Sequence, residues 1–274
     1  MSDKPSETYG RFGKYGTGKE RVGASLSVIV ITKNEEAMIR RCLESVQWAD
    51  EIIVVDSGST DRTLTIAEEL NARTYVTADW RGPGPQRNRA IAHATKDWVL
   101  ALDADEWVPA ELGDEIRAVL RDPRHESYRI PRLSSFCGRF MRHGGWWPDY
   151  VSRLLRRGAA RYSDELVHDH LLVEGSTGTL KRHLLHEAFC DLEEVLGKMN
   201  DYSTPGAVML HQQNRRGSLA AAIGHGLWTF FRTYVLRAGF LDGREGFLLA
   251  ISNAEGTYYK YLKLMLFSEK SGKQ

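Results

Sequence analysis

The chain has 274 residues, 42% hydrophobic and 27% charged, a balance typical of a globular protein large enough for a sizeable core. Its formal net charge of +1 argues against a general attraction to nucleic acid, and three widely spaced cysteines predict a reducing cytoplasm rather than a disulfide framework. The N-terminal residues lack an apolar signal region and no run approaches the roughly 18 apolar residues of a spanning helix, so secretion and membrane insertion are not expected.

Strand and helix patterns alternate over the first half of the chain. Residues 1–23 are polar without a period and predict a flexible tail. Short apolar or β-branched runs then predict strands at Leu26–Thr32, Glu51–Asp56, Thr74–Thr77 and Trp98–Asp103. Helical patterns lie between and after them: one N-capped by Asn34, one after the turn 57–61, one at 86–93 behind a rigid loop 81–85, and one from Pro109 to about Leu120. The alternation predicts an α/β fold, a Rossmann-like, mostly parallel sheet flanked by helices.

The polar residues of this half fall where the predicted strands end. Parallel strands joined by right-handed crossovers place their carboxyl ends at one sheet edge, where ligands bind. Thr32, Asp56 and Asp103 therefore meet at that edge, and Asp105 follows with Ala104 between the two aspartates. Carboxylates there suit a divalent cation that shares ligands with substrate phosphates. For any one of these residues, capping or turn-making is the alternative, and it is the favoured one for Asn34 and Asp61.

These side chains match the parts of a nucleotide with a metal ion. Asp56 can accept a hydrogen bond from a pyrimidine ring N–H, and Asp103 can bind ribose hydroxyls. Asp105 can hold Mg²⁺ or Mn²⁺ against a diphosphate. Arg87, at a helix start, offers a donor fork and a positive dipole end for phosphate oxygens.

The second half of the chain changes character. Short segments near residues 128, 152 and 170 predict extra strands, separated by the glycine- and aromatic-rich loop 144–150. An arginine-rich stretch indicates either a solvated surface or recognition of an acidic acceptor: Arg139, Arg142, Arg153, Arg156, Arg157, Arg161. Residues 191–274 are predicted to be helical. For the aromatic residues among them, packing is favoured over lying flat on an anionic membrane: Trp228, Phe230, Phe231, Tyr234, beside Arg232 and Arg237.

Four motifs together resemble the signatures of family 2 glycosyltransferases with the GT-A fold. They are Ser27-Val-Ile-Val-Ile-Thr-Lys-Asn-Glu35, Ile52-Ile-Val-Val-Asp-Ser-Gly-Ser-Thr-Asp61, Gln86-Arg-Asn88 and Leu102-Asp-Ala-Asp-Glu106. Later segments resemble a narrower group, the bacterial heptose β-1,4-glucosyltransferases of the lipopolysaccharide core: Gly144-Gly-Trp-Trp-Pro-Asp-Tyr150, Arg153-Leu-Leu-Arg-Arg-Gly158, Leu166-Val-His-Asp169, Gly239-Phe-Leu-Asp-Gly243.

The resemblance implies an inverting transfer of a hexose, with glucose favoured, from a nucleotide diphosphate sugar, with a UDP-sugar favoured. The acceptor implied is a lipid-linked or core oligosaccharide of a bacterial surface glycan, reached from the cytoplasmic face of the inner membrane. Residues 24–190 then form the catalytic domain, divided into a donor part (24–122) and an acceptor part (123–190), with a C-terminal helical extension at 191–274 that is a candidate for membrane contact.

Carried over residue by residue, the resemblance assigns the nucleobase to Thr32, Asn34, Glu35 and Asp56. It assigns the ribose to Asp103 beside Ala104, and the Mg²⁺ or Mn²⁺ ion to Asp105.

The acceptor-activating base is predicted at Asp149, which follows two tryptophans and a proline. Rival carboxylates are Asp164, Glu165 and Asp169, and where the narrower group reads Val-His-Glu this chain reads Val167-His168-Asp169. His168 is a candidate metal or diphosphate ligand, with a structural role as the alternative. A zinc site built from His168, His170, His183 and His186 is disfavoured because no cysteine pairs accompany them.

Two other functional classes remain open. A nucleotidyltransferase that makes a sugar nucleotide also uses an α/β sheet and a metal, although no glycine-rich phosphate loop follows Ile31. A non-catalytic nucleotide- or glycan-binding protein is the other, and the intact Asp103/Asp105 pair argues against it.

Overall fold

The computed structural model describes residues 23–163 and 170–271. The chain divides into two compact units: the first contains residues 23–130 and Val151–Leu184, and the second contains Pro131–Tyr150 and residues 185–271. This division differs from the predicted one, because the glycine- and aromatic-rich loop groups with the C-terminal helices. The predicted tail, His168 and the rival bases Asp164, Glu165 and Asp169 lie outside the described residues.

The strands follow the order of the predicted runs and add several short ones. Their bounds are β1 Leu26–Thr32, β2 Glu51–Asp56, β3 Arg73–Val76, β4 Trp98–Asp103, β5 Glu106–Trp107, β6 Ser127–Phe136, β7 Arg139–Phe140, β8 Asp149–Arg156, β9 Ala160–Tyr162, β10 Leu171–Val173, β11 Thr177–Thr179 and β12 Leu184–Phe189. The helices are α1 Ile39–Glu44, α2 Thr63–Glu69, α3 Pro83–His93, α4 Ala110–Arg121, α5 Leu192–Gln212, α6 Leu219–Phe231 and α7 Gly243–Ser271. A π-helical turn, Arg232–Leu236, and a 3₁₀ turn, Gly239–Asp242, connect α6 to α7.

The first unit is built on a mostly parallel sheet in the order β3-β2-β1-β4-β8-β6. Strands β1, β2, β3 and β4 are parallel, and β8 runs antiparallel beside β4. The inner strands are apolar on both faces, so Val28 and Val30 pack into one core and Ile29 into another. The predicted α/β architecture with a C-terminal helical extension is confirmed.

Two local predictions in this unit are wrong. Asn34 does not cap a helix, because α1 begins at Ile39 behind Met38, and Asn34 adopts a left-handed backbone with φ 56°. The predicted loop 81–85 is shorter, because α3 already begins at Pro83. Proline is compatible with the first turn of a helix, where its missing N–H leaves no bond unmade.

The second unit combines the ends of the shared strands with the long helices. β7 pairs antiparallel with the end of β6 at Phe136 and Ser135. Phe136, Met141, Val195 and Leu249 form its buried cluster. Helix α7 packs against both α5 and α6. Among the residues described, no helix is long and apolar enough to cross a membrane.

Candidate active site

The carboxyl ends of three parallel strands meet as the sequence predicts. Thr32 is the register partner of Asp56, and Ile31 is the register partner of Asp103. Thr32 is buried, and no residue that the structure describes forms a hydrogen bond with its hydroxyl oxygen. A polar atom left in that state beside two carboxylates is a position that a ligand can satisfy.

Hydrogen bonds connect the loop after β1 to the loop after β2. The backbone N–H of Asn34 donates to the Ser59 hydroxyl at 2.7 Å, and the Asn34 amide oxygen accepts from the Thr60 N–H at 2.8 Å. The Glu35 N–H donates to the Thr63 hydroxyl at 2.8 Å. With its left-handed backbone, Asn34 therefore connects the segment after β1 to the turn after β2. The sequence pattern of a helix cap does not predict this role.

Asp56 and Asp61 organise the turn after β2. Asp56 is fully buried, and its Oδ1 accepts from the N–H groups of Gly58 at 2.9 Å and Ser59 at 2.7 Å. Asp61 accepts from the N–H and hydroxyl of Thr63. The turn-making interpretation of Asp61 agrees with these bonds, while the nucleobase role of Asp56 remains a prediction.

Three consecutive side chains of α3 brace three different neighbours. Gln86 is fully buried and donates to the Ser57 hydroxyl at 3.0 Å and the Thr77 hydroxyl at 2.7 Å. Asn88 exchanges hydrogen bonds with the backbone of Tyr162 in β9 at 2.8 and 2.9 Å. Arg87, between them, donates from Nη2 to Asp103 Oδ1 at 2.6 Å. Each residue of the Gln-Arg-Asn motif thus contributes to the position of the strand ends.

Asp103 is held by two buried arginines. Besides Arg87, Arg153 of β8 donates to Asp103 Oδ2 at 2.5 Å and to Glu106 Oε1 at 2.7 Å. Glu106 is fully buried and also accepts the N–H of Asp103 at 3.0 Å. Burial by itself raises the pKa of Asp103, but the guanidinium groups of Arg153 and Arg87 outweigh it and hold that pKa well below its usual range. Asp103 is therefore an ionised hydrogen-bond acceptor at neutral pH.

Asp105 is the carboxylate of the pair that suits a cation. It is partly buried two residues beyond Asp103, whose own oxygens are bound by guanidinium groups. The described residues contain no group of three or more side chains that could enclose a metal. A single carboxylate in this position suits Mg²⁺ or Mn²⁺, which one or two carboxylates and a substrate's phosphates can hold.

In the second unit, Asp149 begins β8 and is partly exposed. Its Oδ2 accepts from Arg132 Nε at 2.9 Å and Nη2 at 2.7 Å, a forked contact that fixes the carboxylate's orientation. Arg142 lies over the ring of Trp147 at 5.8 Å. The predicted base is therefore an oriented carboxylate beside an aromatic loop.

The comparison with known proteins decides the family. The family model described as "Glycosyl transferase family 2" matches residues 27–170 of this chain.

The chain belongs to glycosyl transferase family 2.

Two curated relatives of this glycosyltransferase match most of its length. An "Uncharacterized glycosyltransferase" of Rickettsia bellii is 30% identical over 261 residues, which cover 89% of this chain and 87% of the relative. The "Lipopolysaccharide core biosynthesis glycosyltransferase LpsC" of Rhizobium meliloti is 30% identical over 241 residues, which cover 84% and 87%. Among solved structures, S. aureus TarS 1-349 in complex with UDP-GlcNAc is 16% identical with a TM-score of 0.47, covering 90% of this chain and 92% of that chain.

Sequence reasoning missed two site residues of this glycosyltransferase. Arg153 belongs to the arginine stretch predicted as either solvated surface or acceptor recognition, and both interpretations fail for it because it is buried and bound to Asp103 and Glu106. The other five arginines of that stretch are exposed. Glu106 follows Asp105 in the chain, and its position in the motif does not predict that it binds Arg153. A buried arginine needs a carboxylate partner, but no local pattern in the sequence distinguishes the buried Arg153 from its exposed neighbours.

Proposed function

We propose that this glycosyltransferase transfers a hexose, with glucose favoured, from a nucleotide diphosphate sugar to a bacterial surface glycan, with the lipopolysaccharide core as first choice. The observation that carries the donor half is the sheet edge where Thr32, Asp56 and Asp103 meet, followed by Asp105. The similarity to LpsC over 84% of the chain supports the acceptor half. A UDP-sugar is the favoured donor.

In this proposal the first unit holds the donor. Thr32, Asn34, Glu35 and Asp56 line the nucleobase, and the unbonded Thr32 hydroxyl offers it a hydrogen bond. Asp103, beside Ala104, accepts from the ribose hydroxyls. Arg87 is buried in the second turn of α3 rather than at its start, and it holds Asp103 in its ionised form. Donation to the phosphates is its second proposed role. Asp105, together with His168, holds Mg²⁺ or Mn²⁺, which when bound neutralises the negative charge that develops on the leaving diphosphate.

Asp149 is the proposed base. It takes the proton of an acceptor hydroxyl as the hydroxyl oxygen attacks the anomeric carbon on the face opposite the diphosphate, so the configuration inverts. One carboxylate suffices for this single displacement, whereas a retaining double displacement needs a second as nucleophile. The forked contact with Arg132 supports the assignment, because it aims the carboxylate.

The second unit also carries a surface suited to a membrane. We define the apolar surface as exposed side chains of α6 and the turns after it: Leu219, Ile223, Leu227, Trp228, Phe231, Val235, Leu236, Phe240, Leu241. The aromatic residues predicted to pack are divided, since Phe230 and Tyr234 contact Phe247 of α7 while Trp228 and Phe231 are exposed. Large exposed apolar patches mark interaction sites.

The charges around the apolar surface favour an anionic bilayer. Residues 214–247 contain five arginines, all exposed: Arg215, Arg216, Arg232, Arg237, Arg244. The two acidic residues of this segment are engaged. Asp242 is buried against His143, and Glu245 is paired with Arg244 at 2.8 Å. Exposed apolar side chains with exposed arginines in the same segment are typical of a peripheral membrane helix. This supports a proposed location on the cytoplasmic face of the inner membrane, beside a lipid-linked acceptor.

The test of the proposed function is a donor panel on truncated core acceptors, with and without chelator, scored for the phosphate product. Transfer releases a nucleoside diphosphate, with UDP from UDP-glucose as the expected result. Pyrophosphate as the product would instead identify a nucleotidyltransferase. Binding of the donor without any release would identify a non-catalytic protein.

A further inference from the structure

The second unit contains a cavity of about 310 Å³ to which the proposed function assigns no role. Phe136, Trp146 and Phe189 form an aromatic part of its lining, with ring centroids 5.8 to 6.0 Å apart. Flat aromatic surfaces of this kind stack on the C–H face of a sugar ring as readily as on an acyl chain, so the rest of the lining must decide the ligand.

Helix α7 gives the cavity a polar face. Ser252, Asn253, Gly256 and Thr257 all line it, at the one- and four-residue spacings that share one side of a helix. Such residues are poor helix formers and occupy the middle of a 29-residue helix. Asn253 is half-buried, and no residue that the structure describes hydrogen-bonds its amide. A lipid chain cannot form hydrogen bonds with these groups, whereas the hydroxyls of a sugar can.

The charge of the lining is entirely positive. Lys198 and Lys260 line the cavity, and none of the lining residues is acidic. Lys198 is balanced by Glu194 at 2.8 Å, but Lys260 makes no ion pair with any described residue. Lys260 is a half-buried residue whose ammonium lies 5.4 Å from the centre of the Tyr261 ring. An ammonium without a carboxylate partner favours an anionic ligand group such as a carboxylate or a phosphate.

We infer that this cavity binds an anionic sugar residue of the acceptor glycan, with the ring against Trp146, its hydroxyls on Asn253 and its acidic group on Lys260. The inference rests on the proposed function. Chain connectivity links the two, since Trp146 lies three residues before the proposed base Asp149 and in the same unit. The cavity thus selects the acceptor next to the group that activates it.

The test measures direct binding, in the absence of donor, of four probes: glucose 6-phosphate, glucuronic acid, glucose and inorganic phosphate. Titration of the full chain is followed by tryptophan fluorescence and by saturation-transfer NMR. The two anionic sugars should bind most tightly, and Lys260→Gln should weaken them about fivefold to tenfold, the value of one partly screened charge-assisted hydrogen bond. Lys181→Gln removes an exposed charge in the other unit and should leave the binding constants unchanged.

Asn253→Ala separates binding from folding. Alanine favours a helix interior, so this variant should be at least as stable as the wild type while losing affinity for all three sugars. Equal binding of glucose and glucose 6-phosphate, wild-type affinity in Lys260→Gln, or inorganic phosphate binding as tightly as the sugar phosphate would each overturn the inference. Failure of the proposed function shows separately, as the absence of nucleoside diphosphate release by the wild type from every donor.

Discussion

The buried arginine of the donor site should be essential for stability, and the substitution Arg153→Met tests this. The side chain of Arg153 is 5% exposed and is bound to Asp103 and to Glu106, whose side chain is fully buried. Methionine fills similar space, but it removes the Arg153 guanidinium from Glu106 and leaves Asp103 bound to the guanidinium of Arg87 alone. Removing one partner of a buried ion pair costs about 3–5 kcal/mol. For a chain of this size that lowers the apparent Tm by roughly 6–20 °C.

A matched control lies three residues away on the same strand. Arg156 is paired with Glu126 at 3.2 Å, and its side chain is 59% exposed. Arg156→Met should therefore cost about 0–1 kcal/mol, the range for surface ion pairs. The double variant Arg153→Met/Glu106→Gln should recover part of the loss, because it removes the uncompensated buried carboxylate.

The lowered pKa of Asp103 determines how the stability loss in Arg153→Met changes with pH. The folded pKa of Asp103 is depressed by Arg153 and Arg87 against the effect of burial, so its contribution to stability is full above the unfolded pKa of about 4 and is lost as the pH falls through the folded pKa. The difference in free energy of unfolding between the wild type and Arg153→Met should therefore be largest at pH 7 to 8. It should become smaller below about pH 4. Thermal or urea unfolding at pH 8 and pH 3.5 measures it. Equal, small losses in the Arg153 and Arg156 variants would refute the reasoning.

Three further predictions concern activity and binding. Asp105→Ala should fold normally but release nucleoside diphosphate at least about a hundredfold more slowly in the presence of metal, since the metal stabilises the transition state by several kcal/mol. If the variant kept the turnover of the wild type while a chelator inhibited the wild type, the metal assignment would be contradicted. Asp149→Asn should keep donor affinity by calorimetry and lose transfer by about a hundredfold or more; normal turnover would remove it as the base. The double variant Leu227→Ser/Trp228→Ser should weaken co-sedimentation with anionic vesicles at least about tenfold. The control is Leu192→Ser/Leu196→Ser, a matched exposed apolar pair on α5, which should leave co-sedimentation unchanged. Equal effects of the two double variants would contradict membrane binding by the apolar surface.

Patterns within one strand or turn were sufficient to predict the strand ends. The run Leu26–Thr32 is apolar except for Ser27 and Thr32 because the strand is buried on both faces, and Trp98–Asp103 is apolar up to its terminal aspartate. Since parallel strands end at one edge, the meeting of Thr32, Asp56 and Asp103 followed from their positions in the chain.

The contacts that hold the site together were not predictable in the same way. Arg153 and Asp103 are 50 residues apart in the chain, and nothing local distinguishes Arg153 from the exposed Arg156. The short strands β9 and β11 have three residues each, too few to show an alternation. Asn34 stood before acidic residues like a helix cap, but the cross-loop bonds to Ser59 and Thr60 determined its conformation instead.

The Gln86-Arg87-Asn88 triplet has a consequence for how the donor site can change over evolution. Successive helical side chains point about 100° apart, and here each of three directions has its own anchor. A slip of α3 by a single residue would detach Ser57, Asp103 and Tyr162 together. A residue inserted or deleted within α3 between these three positions would therefore break at least one of the three contacts. The same three anchors mean that the strand ends are already aligned before any nucleotide arrives, so binding need not bear the cost of assembling them.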